Sequence, residues 1–362
     1  MGFSCALVGL PNAGKSTIYN ALSGAGARVE SYPFSTIEAH RSVVEVPDER
    51  LDALHAIHPE KRRVPTSIEI VDVAGLVRGA SAGEGMGNQF LSEIRAVDAI
   101  LHVVRCFDDE NVAHIAERVD PRRDIEIVDT ELLLKDLETL GRIAERARRE
   151  AKGADRGAAT RAEAWDLLVQ GVARGEPVRR LEIPREIAEG VRDAAPLTAK
   201  PMLLVANVGE DGGGEHLAVV RATAEESGAQ VVVVHGKVEA EILEAAEDPQ
   251  ERLAFLGEWG LTSTGLDRLI RAGYGLLQLS TFFTFEGPEV RAWTVRAGTT
   301  AAAAGGKIHS DFEHRFVTAE VMALSALSEA GSEKALRDRG GIHRAGHDYV
   351  VQDGDVIRFV CG

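Results

Sequence analysis

The 362-residue sequence predicts an α/β fold: a doubly wound parallel sheet, interrupted by an α-helical hairpin and followed by a small α+β module. Three observations predict it. Five short runs, SCALVGL, SIEIVDVAG, AILHVVRCF, PMLLVANV and AQVVVVHG, are rich in Val, Ile and Leu without polar alternation. Such runs are expected of parallel strands covered on both faces. Helical patterns fall between them until about Asp120, lapse into long charged helices, and resume at Pro201. Beyond residue 277 the character changes to short alternating strands. The expected boundaries are therefore 1–122 and 200–277 for the main domain, 123–199 for the helical insertion and 278–362 for the tail.

Taken in order, the first strand ends at Leu10 and a helix is expected over Gly14 to Leu22, with another over Glu84 to Val97. From Ile125 to Lys152 the apolar residues Leu133, Leu137, Leu140, Ile143 and Ala147 recur at three- and four-residue steps, which puts them on one helical stripe. Gly153 ends that helix. Ala162, Trp165, Leu168, Val169 and Val172 form the matching stripe of a second helix, so the two are expected to pair antiparallel. The tail offers FFTFEG, VRAWTV, RFVTAEVM and YVVQDGDVIRF as strands, with turn chemistry at Gln352-Asp353-Gly354-Asp355. TTAAAAGG, Thr299 to Gly306, reads as a loop leading into a helix.

Composition narrows the function classes. The formal net charge of −16 gives no bulk attraction for nucleic acid, so an RNA contact would need a local basic patch. One candidate is Arg142 to Arg161, RIAERARREAKGADRGAATR; the alternative is an ordinary solvated helix face. Cys5, Cys106 and Cys361 fit no metal-ligand spacing and suit a reducing compartment. MGFSCALVGL reads as a core strand rather than a signal peptide, and no run is long enough to span a membrane. A cytoplasmic protein without membrane attachment is expected. Its oligomeric state is open, with a monomer as the default.

The chemistry begins at Gly9-Leu10-Pro11-Asn12-Ala13-Gly14-Lys15-Ser16, a match to G-x-x-x-x-G-K-[ST] placed between a strand and a helix. Glycines let backbone N–H groups turn inward onto phosphate oxygens, and the helix N-terminus favours an anion. Asn12, Ala13, Gly14, Lys15, Ser16 and Thr17 are the phosphate-binding candidates. Lys15 would bridge the β- and γ-phosphates and Ser16 would ligate Mg²⁺. Asp72 and Gly75 of Asp72-Val73-Ala74-Gly75 follow, the first toward Mg²⁺ and the second toward the γ-phosphate. Thr36, within YPFSTI, is a candidate second hydroxyl ligand. In this order the pieces read as the switch regions of a nucleotide switch. Leu76 stands where a water-orienting Gln is often found, and an aliphatic side chain cannot orient water. His114 is a candidate for that catalytic task; a solvated surface histidine is the alternative.

The base-reading loop is expected at Asn207-Val208-Gly209-Glu210, where Asn-Lys-x-Asp would select guanine. Val208 lacks the lysine stem that packs on the base. Glu210 is one methylene longer than the Asp that accepts both guanine donors, a match whose loss costs about 1–3 kcal/mol. Asn207 can still brace the loop. These changes remove guanine selection more clearly than they create adenine selection, so ATP, GTP or both remain open on the residues alone. His235 and Gly236, after the last main-domain strand, complete the base-binding candidates.

GLPNAGKST, YPFSTIE, DVAGLVRGASAGEGMGNQFL, LHVVRCF, NVGE, RAWTVRAG and DYVVQDGDVIRF together resemble the YchF/Obg-like ATPase family, and the resemblance runs along essentially the whole chain. It implies a P-loop nucleotide-binding domain of the Obg type, an inserted helical hairpin and a C-terminal β-grasp domain of the TGS type. It also implies Mg²⁺-dependent hydrolysis of ATP to ADP, slow unless stimulated, and a ribosomal partner met through rRNA or ribosomal proteins. A hydrophobic residue at the Leu76 position is a trait of that family, and its proposed catalytic loop histidine corresponds to His114. His235-Gly236-Lys237 departs from the small or hydroxyl residues usual there. The alternatives to an ATPase switch are a GTP-using translation factor and a nucleotide-gated scaffold with negligible turnover.

Overall fold

The computed structural model describes residues 2–24, 40–73, 86–109, 118–152, 156–246, 248–259, 261 and 263–362. Twelve strands are present among them: β1 (Ser4–Val8), β2 (His40–Glu45), β3 (Arg62–Val64), β4 (Ser67–Asp72), β5 (Ala99–Cys106), β6 (Met202–Val208), β7 (Val231–Val234), β8 (Leu279–Thr284), β9 (Glu289–Arg296), β10 (Phe316–Ala323), β11 (Ile342–Ala345) and β12 (Asp355–Cys361). They form two six-stranded sheets, in the orders β2-β4-β1-β5-β6-β7 and β11-β10-β12-β8-β9-β3. The chain divides into two compact units, Met1–Val44 with Glu69–Leu269 and Glu45–Ile68 with Ile270–Gly362.

In the first unit the five apolar runs of the sequence are β1, β4, β5, β6 and β7, and every pairing among them is parallel. All residues of β1, β5 and β6 are buried, which is why those runs carry no polar alternation. One face packs Ile94, Val97, Val128 and Leu132 against Val8, Val71 and Ile100, and further along the same face Val220 and Ala224 pack against Val104, Leu204 and Ala206. The order places β1 between β4 and β5. The loops leaving the C-terminal ends of β1, β4, β5, β6 and β7 therefore emerge along one edge of the sheet, where open α/β sheets bind ligands.

The insertion is two helices, Pro121–Ala151 and Arg156–Ala173. Asp120 caps the first through a bond from the Arg123 N–H (3.1 Å), with Pro121 in the first turn, where its missing N–H costs nothing. Leu140 and Ala144 pack with Trp165, Leu168 and Val172, and the predicted stripe residues Leu133, Leu137, Ile143, Ala147 and Val169 flank them. Buried Asp136 accepts from the Leu197 N–H (2.7 Å), the Thr198 N–H (2.8 Å) and the Thr198 hydroxyl (2.6 Å), tying the hairpin back to the chain that re-enters the sheet.

In the second unit β8 and β9 pair antiparallel, as do β10 with β12 and β10 with β11. Phe283, Val290, Met322 and Val356 line one face with Leu51 and Leu54; Phe282, Val295, Ile357 and Phe359 line the other with Ala301 and Ala304. Two features differ from the sequence reading. Residues 45–68 lie within the expected nucleotide-binding segment, yet β3 pairs in parallel with β9 and the Glu49–Ile57 helix buries Leu51 and Leu54 in the second unit. Local apolar pattern marks an element as buried but not the sheet that buries it. TTAAAAGG is mostly helix, Ala301–Ile308, rather than loop. Alanine favours helix, and Gly305 sits where a Cβ would press on Phe359 and Phe312 at 3.2–3.3 Å.

Candidate functional site

The phosphate loop follows from the local sequence. Its Asn12 adopts the left-handed region (φ 62°), which asparagine tolerates better than most residues, and Gly14 does the same at φ 91°. A Cβ on Gly14 would lie 2.0 Å from the Asn207 Nδ2, so only glycine fits. The loop runs straight into the Lys15–Gly24 helix. Lys15 is 6% exposed, and its ammonium donates to the Gly9 carbonyl (3.0 Å) and the Leu10 carbonyl (2.8 Å). Burial pushes its pKa down to about 8, against the pull of Asp72.

Asp72 closes β4, and its Leu7 register partner in β1 carries it to the loop. The Ser16 hydroxyl donates to the Asp72 Oδ2 (3.1 Å). The Asp72 Oδ1 is buried and has no hydrogen-bond partner among the described residues. Burial holds this carboxyl above the ordinary range, with the Ser16 bond and Lys15 acting the other way. A hydroxyl beside a half-satisfied carboxylate is an oxygen donor set that suits a hard cation such as Mg²⁺.

Asn207, at the end of β6 and 4% exposed, joins three segments. Its Nδ2 donates to the Ala13 carbonyl (2.9 Å) and its Oδ1 accepts from the Gly236 N–H (3.1 Å). A cavity of about 590 Å³ opens beside it, large enough for a nucleotide. Asn12, Gly14, Lys15, Ser16 and Thr17 line one end; Asn207, Val208 and Glu210 line the other. Of the remaining expected residues, Ala13 enters through its carbonyl bond, and His235 and Gly236 stand behind the wall rather than in it. Burial beside Arg268 holds the His235 imidazole below its ordinary pKa.

The wall also contains residues the sequence reading did not single out as contacts: Phe107, Asp108, Asp109, Asp211, Lys237 and Val238. Phe107 and its neighbours are placed by Arg105, whose guanidinium lies 4.6 Å from the Phe107 ring centre and donates to the Phe107 carbonyl (3.1 Å). Their position just past β5, β6 and β7 is the signal for them, since ligands gather at the carboxyl ends of parallel strands. Thr36, Gly75, Leu76 and His114 lie outside the described residues. On the hairpin, Arg142, Arg146, Arg148 and Arg149 each pair with a local carboxylate, Glu138, Glu150, Asp166 and Glu145 respectively. The pairing blunts the local positive field. Among the described residues no helix is long and apolar enough to cross a membrane.

A strand–loop–helix turn carrying the G-x-x-x-x-G-K-S pattern, an acidic residue on the neighbouring strand and a second loop at the far end of one cavity define a P-loop nucleotide-binding protein of the GTPase-like α/β fold. Comparison with known proteins agrees. The family model described as a 50S ribosome-binding GTPase matches residues 4–134, and the C-terminal model of YchF GTPases, described as a protein of unknown function, matches residues 279–361. The ribosome-binding ATPase YchF of Escherichia coli O157:H7 is 45% identical over 362 residues, covering 99% of both chains. Obg-like ATPase 1 of Pongo abelii is 40% identical, covering 98% of this chain and 91% of its own. The solved structure of the Schizosaccharomyces pombe YchF GTPase superimposes with a TM-score of 0.87 at 33% identity, covering 99% of this chain and 98% of that one. The chain belongs to the YchF family.

Proposed function

We propose that this chain hydrolyses ATP to ADP and phosphate with Mg²⁺ and serves as a nucleotide-dependent switch on the ribosome. The observation that carries the reading is the single cavity joining the phosphate loop to a base loop whose guanine-selecting positions hold Val208 and Glu210. Bacterial relatives named ribosome-binding ATPases align over almost the full length of the chain, which supports both the nucleotide and the partner.

In this reading the backbone N–H groups of Asn12 to Lys15 cradle the β-phosphate, and the Lys15 ammonium turns from the Gly9 and Leu10 carbonyls toward the β- and γ-phosphates. Ser16 and Asp72 would hold Mg²⁺, which when bound neutralises charge on the β- and γ-phosphate oxygens. Thr17 adds a second contact to the phosphates. Asn207 holds the base end to the phosphate end through Ala13 and Gly236, while Glu210 and Val208 face the base. Thr36, Gly75 and His114 keep the roles their order in the sequence suggests, as hydroxyl ligand, γ-phosphate donor and water-positioning base. The hairpin and the C-terminal unit, the latter a binding module of the TGS type, would sense the switch.

A second reading is GTP use, favoured by the S. pombe relative's name and by the retained Asn207. Titration calorimetry of ADP and GDP against the purified chain separates the two. ADP binding at least tenfold tighter than GDP is expected, and a GDP preference would overturn the ATPase reading. Co-sedimentation with purified ribosomes, with and without ATP, tests the partner; equal recovery under both conditions would refute the switch.

A further inference from the structure

Glu239 lies one turn into the helix that follows β7, is 1% exposed, and does not line the cavity. A buried carboxylate is costly unless its oxygens are satisfied. Here Oε1 accepts from the His235 N–H (3.1 Å) and Oε2 from the Leu266 N–H (3.0 Å). The first bond fixes the turn that presents Lys237 and Val238 to the base end of the cavity. The second fixes the first turn of the Gly265–Leu276 helix. The fit is close, because a Cβ on Gly265 would fall 2.4 Å from the same Oε1 and 2.9 Å from the Val233 carbonyl. Gly236, next to His235, is held in turn by the Asn207 Oδ1. An unbroken set of bonds thus runs from the phosphate loop through Asn207 and the 235–238 turn to Glu239 and Leu266.

We propose that Glu239 is a positioning residue for base recognition: it holds the 235–238 turn against the base and links occupancy of that end of the site to the first turn of the Gly265–Leu276 helix. The proposal rests on the nucleotide-binding reading above. It deepens that reading by assigning a task to a residue that touches no ligand. Because Glu239 acts only at the base end, its loss weakens ligands that carry a base and spares those that carry phosphate alone.

The test uses the full chain with two probes, ADP and inorganic tripolyphosphate, each titrated by calorimetry. Glu239→Ala removes the acceptor of the His235 and Leu266 amides and is expected to weaken ADP by about tenfold or more while changing tripolyphosphate by less than about twofold. Glu239→Gln keeps one accepting oxygen and should fall between. Equal loss of both probes, or of neither, overturns the proposal. Hydrogen exchange on the unmodified chain tests it without a variant. ADP should slow exchange at the Leu266 amide and tripolyphosphate should not; equal protection by both, or by neither, overturns it. If the unmodified chain binds neither probe, the nucleotide reading itself falls, which is distinct from a chain that binds both and ignores Glu239.

Discussion

Replacing Asn207 with alanine should weaken the first unit and the nucleotide site together, and the size of the effect can be worked from its two bonds. The side chain donates to the Ala13 carbonyl at 2.9 Å and accepts from the Gly236 N–H at 3.1 Å, and it is almost fully buried. Truncation leaves one backbone acceptor and one backbone donor without partners, each costing about 1–3 kcal/mol when buried. The adjoining cavity lets water reach part of the vacated space, so the lower half of the summed range, about 2–4 kcal/mol, is the expected loss. Asn207→Asp keeps the acceptor for Gly236 but sets a second oxygen against the Ala13 carbonyl, so it should rescue nothing at the phosphate loop. The assay is urea unfolding of the nucleotide-free chain, with hydrogen exchange at the Gly236 amide to assign the loss to this site. A change below about 0.5 kcal/mol with Gly236 protection intact would show that the three segments are held together by something else.

Three further outcomes are expected. Restoring the guanine-selecting pair with Val208→Lys and Glu210→Asp should raise GDP affinity by about tenfold or more, which corresponds to one recovered two-donor contact; unchanged GDP titrations would refute the account of the base loop. ADP affinity should fall as pH rises through about 8, because the free site then binds the nucleotide with a neutral Lys15 that must first take up a proton, and Lys15→Arg should flatten that slope. His102, buried within β5, has its pKa lowered to about 3, by burial first and then by the nearby Lys15 and Arg179 charges. As pH falls below about 6.5 the unfolded chain takes up this proton and the native chain does not, so His102 withdraws up to roughly 5 kcal/mol of stability between pH 6.5 and 3. Urea midpoints of His102→Asn should therefore depend less on pH across that window than those of the unmodified chain.

The parts of the fold that could be read from the sequence are those whose signal is local. Of the five parallel strands, β1, β5 and β6 announce themselves because burial on both faces leaves no polar alternation, and the phosphate loop does so because strand, glycines and helix are contiguous. β2 and β3 escaped notice for opposite reasons. β2 is an edge strand of mixed burial, and β3 has only three residues, none of them fully buried. The assignment of 45–68 to the second unit depends on the pairing of Arg62 with Glu289, 227 positions away, which no local pattern encodes. The far end of the cavity behaved similarly. Asn207 and Glu210 were legible through their spacing, but the contribution of the next turn was displaced by two residues. The Gly236 amide faces Asn207, so the turn presents Lys237 and Val238 to the cavity in place of His235 and Gly236.

The two ionisable groups at the phosphate end explain why this site should bind its ligands together. Burial lowers the Lys15 pKa and raises that of Asp72, so each charge is disfavoured in the free protein despite the presence of the other. Their mutual attraction does not remove the cost, because burial is the larger influence on each and the ammonium is bonded to loop carbonyls rather than to the carboxylate. An anionic phosphate favours the charged lysine, and a divalent cation favours the charged carboxylate, so each ligand relieves a penalty the other leaves in place. The Asp72 Oδ1, without a partner among the described residues, is the acceptor on which that relief would act. Binding linkage is reciprocal, so nucleotide should tighten Mg²⁺ by the same factor by which Mg²⁺ tightens nucleotide. Asp72→Asn removes the charge on one side of this balance. It should leave nucleotide affinity without Mg²⁺ within a few-fold of the unmodified chain and abolish most of the gain on adding Mg²⁺, and a variant that kept the full gain would show that Asp72 is not the coupling carboxylate.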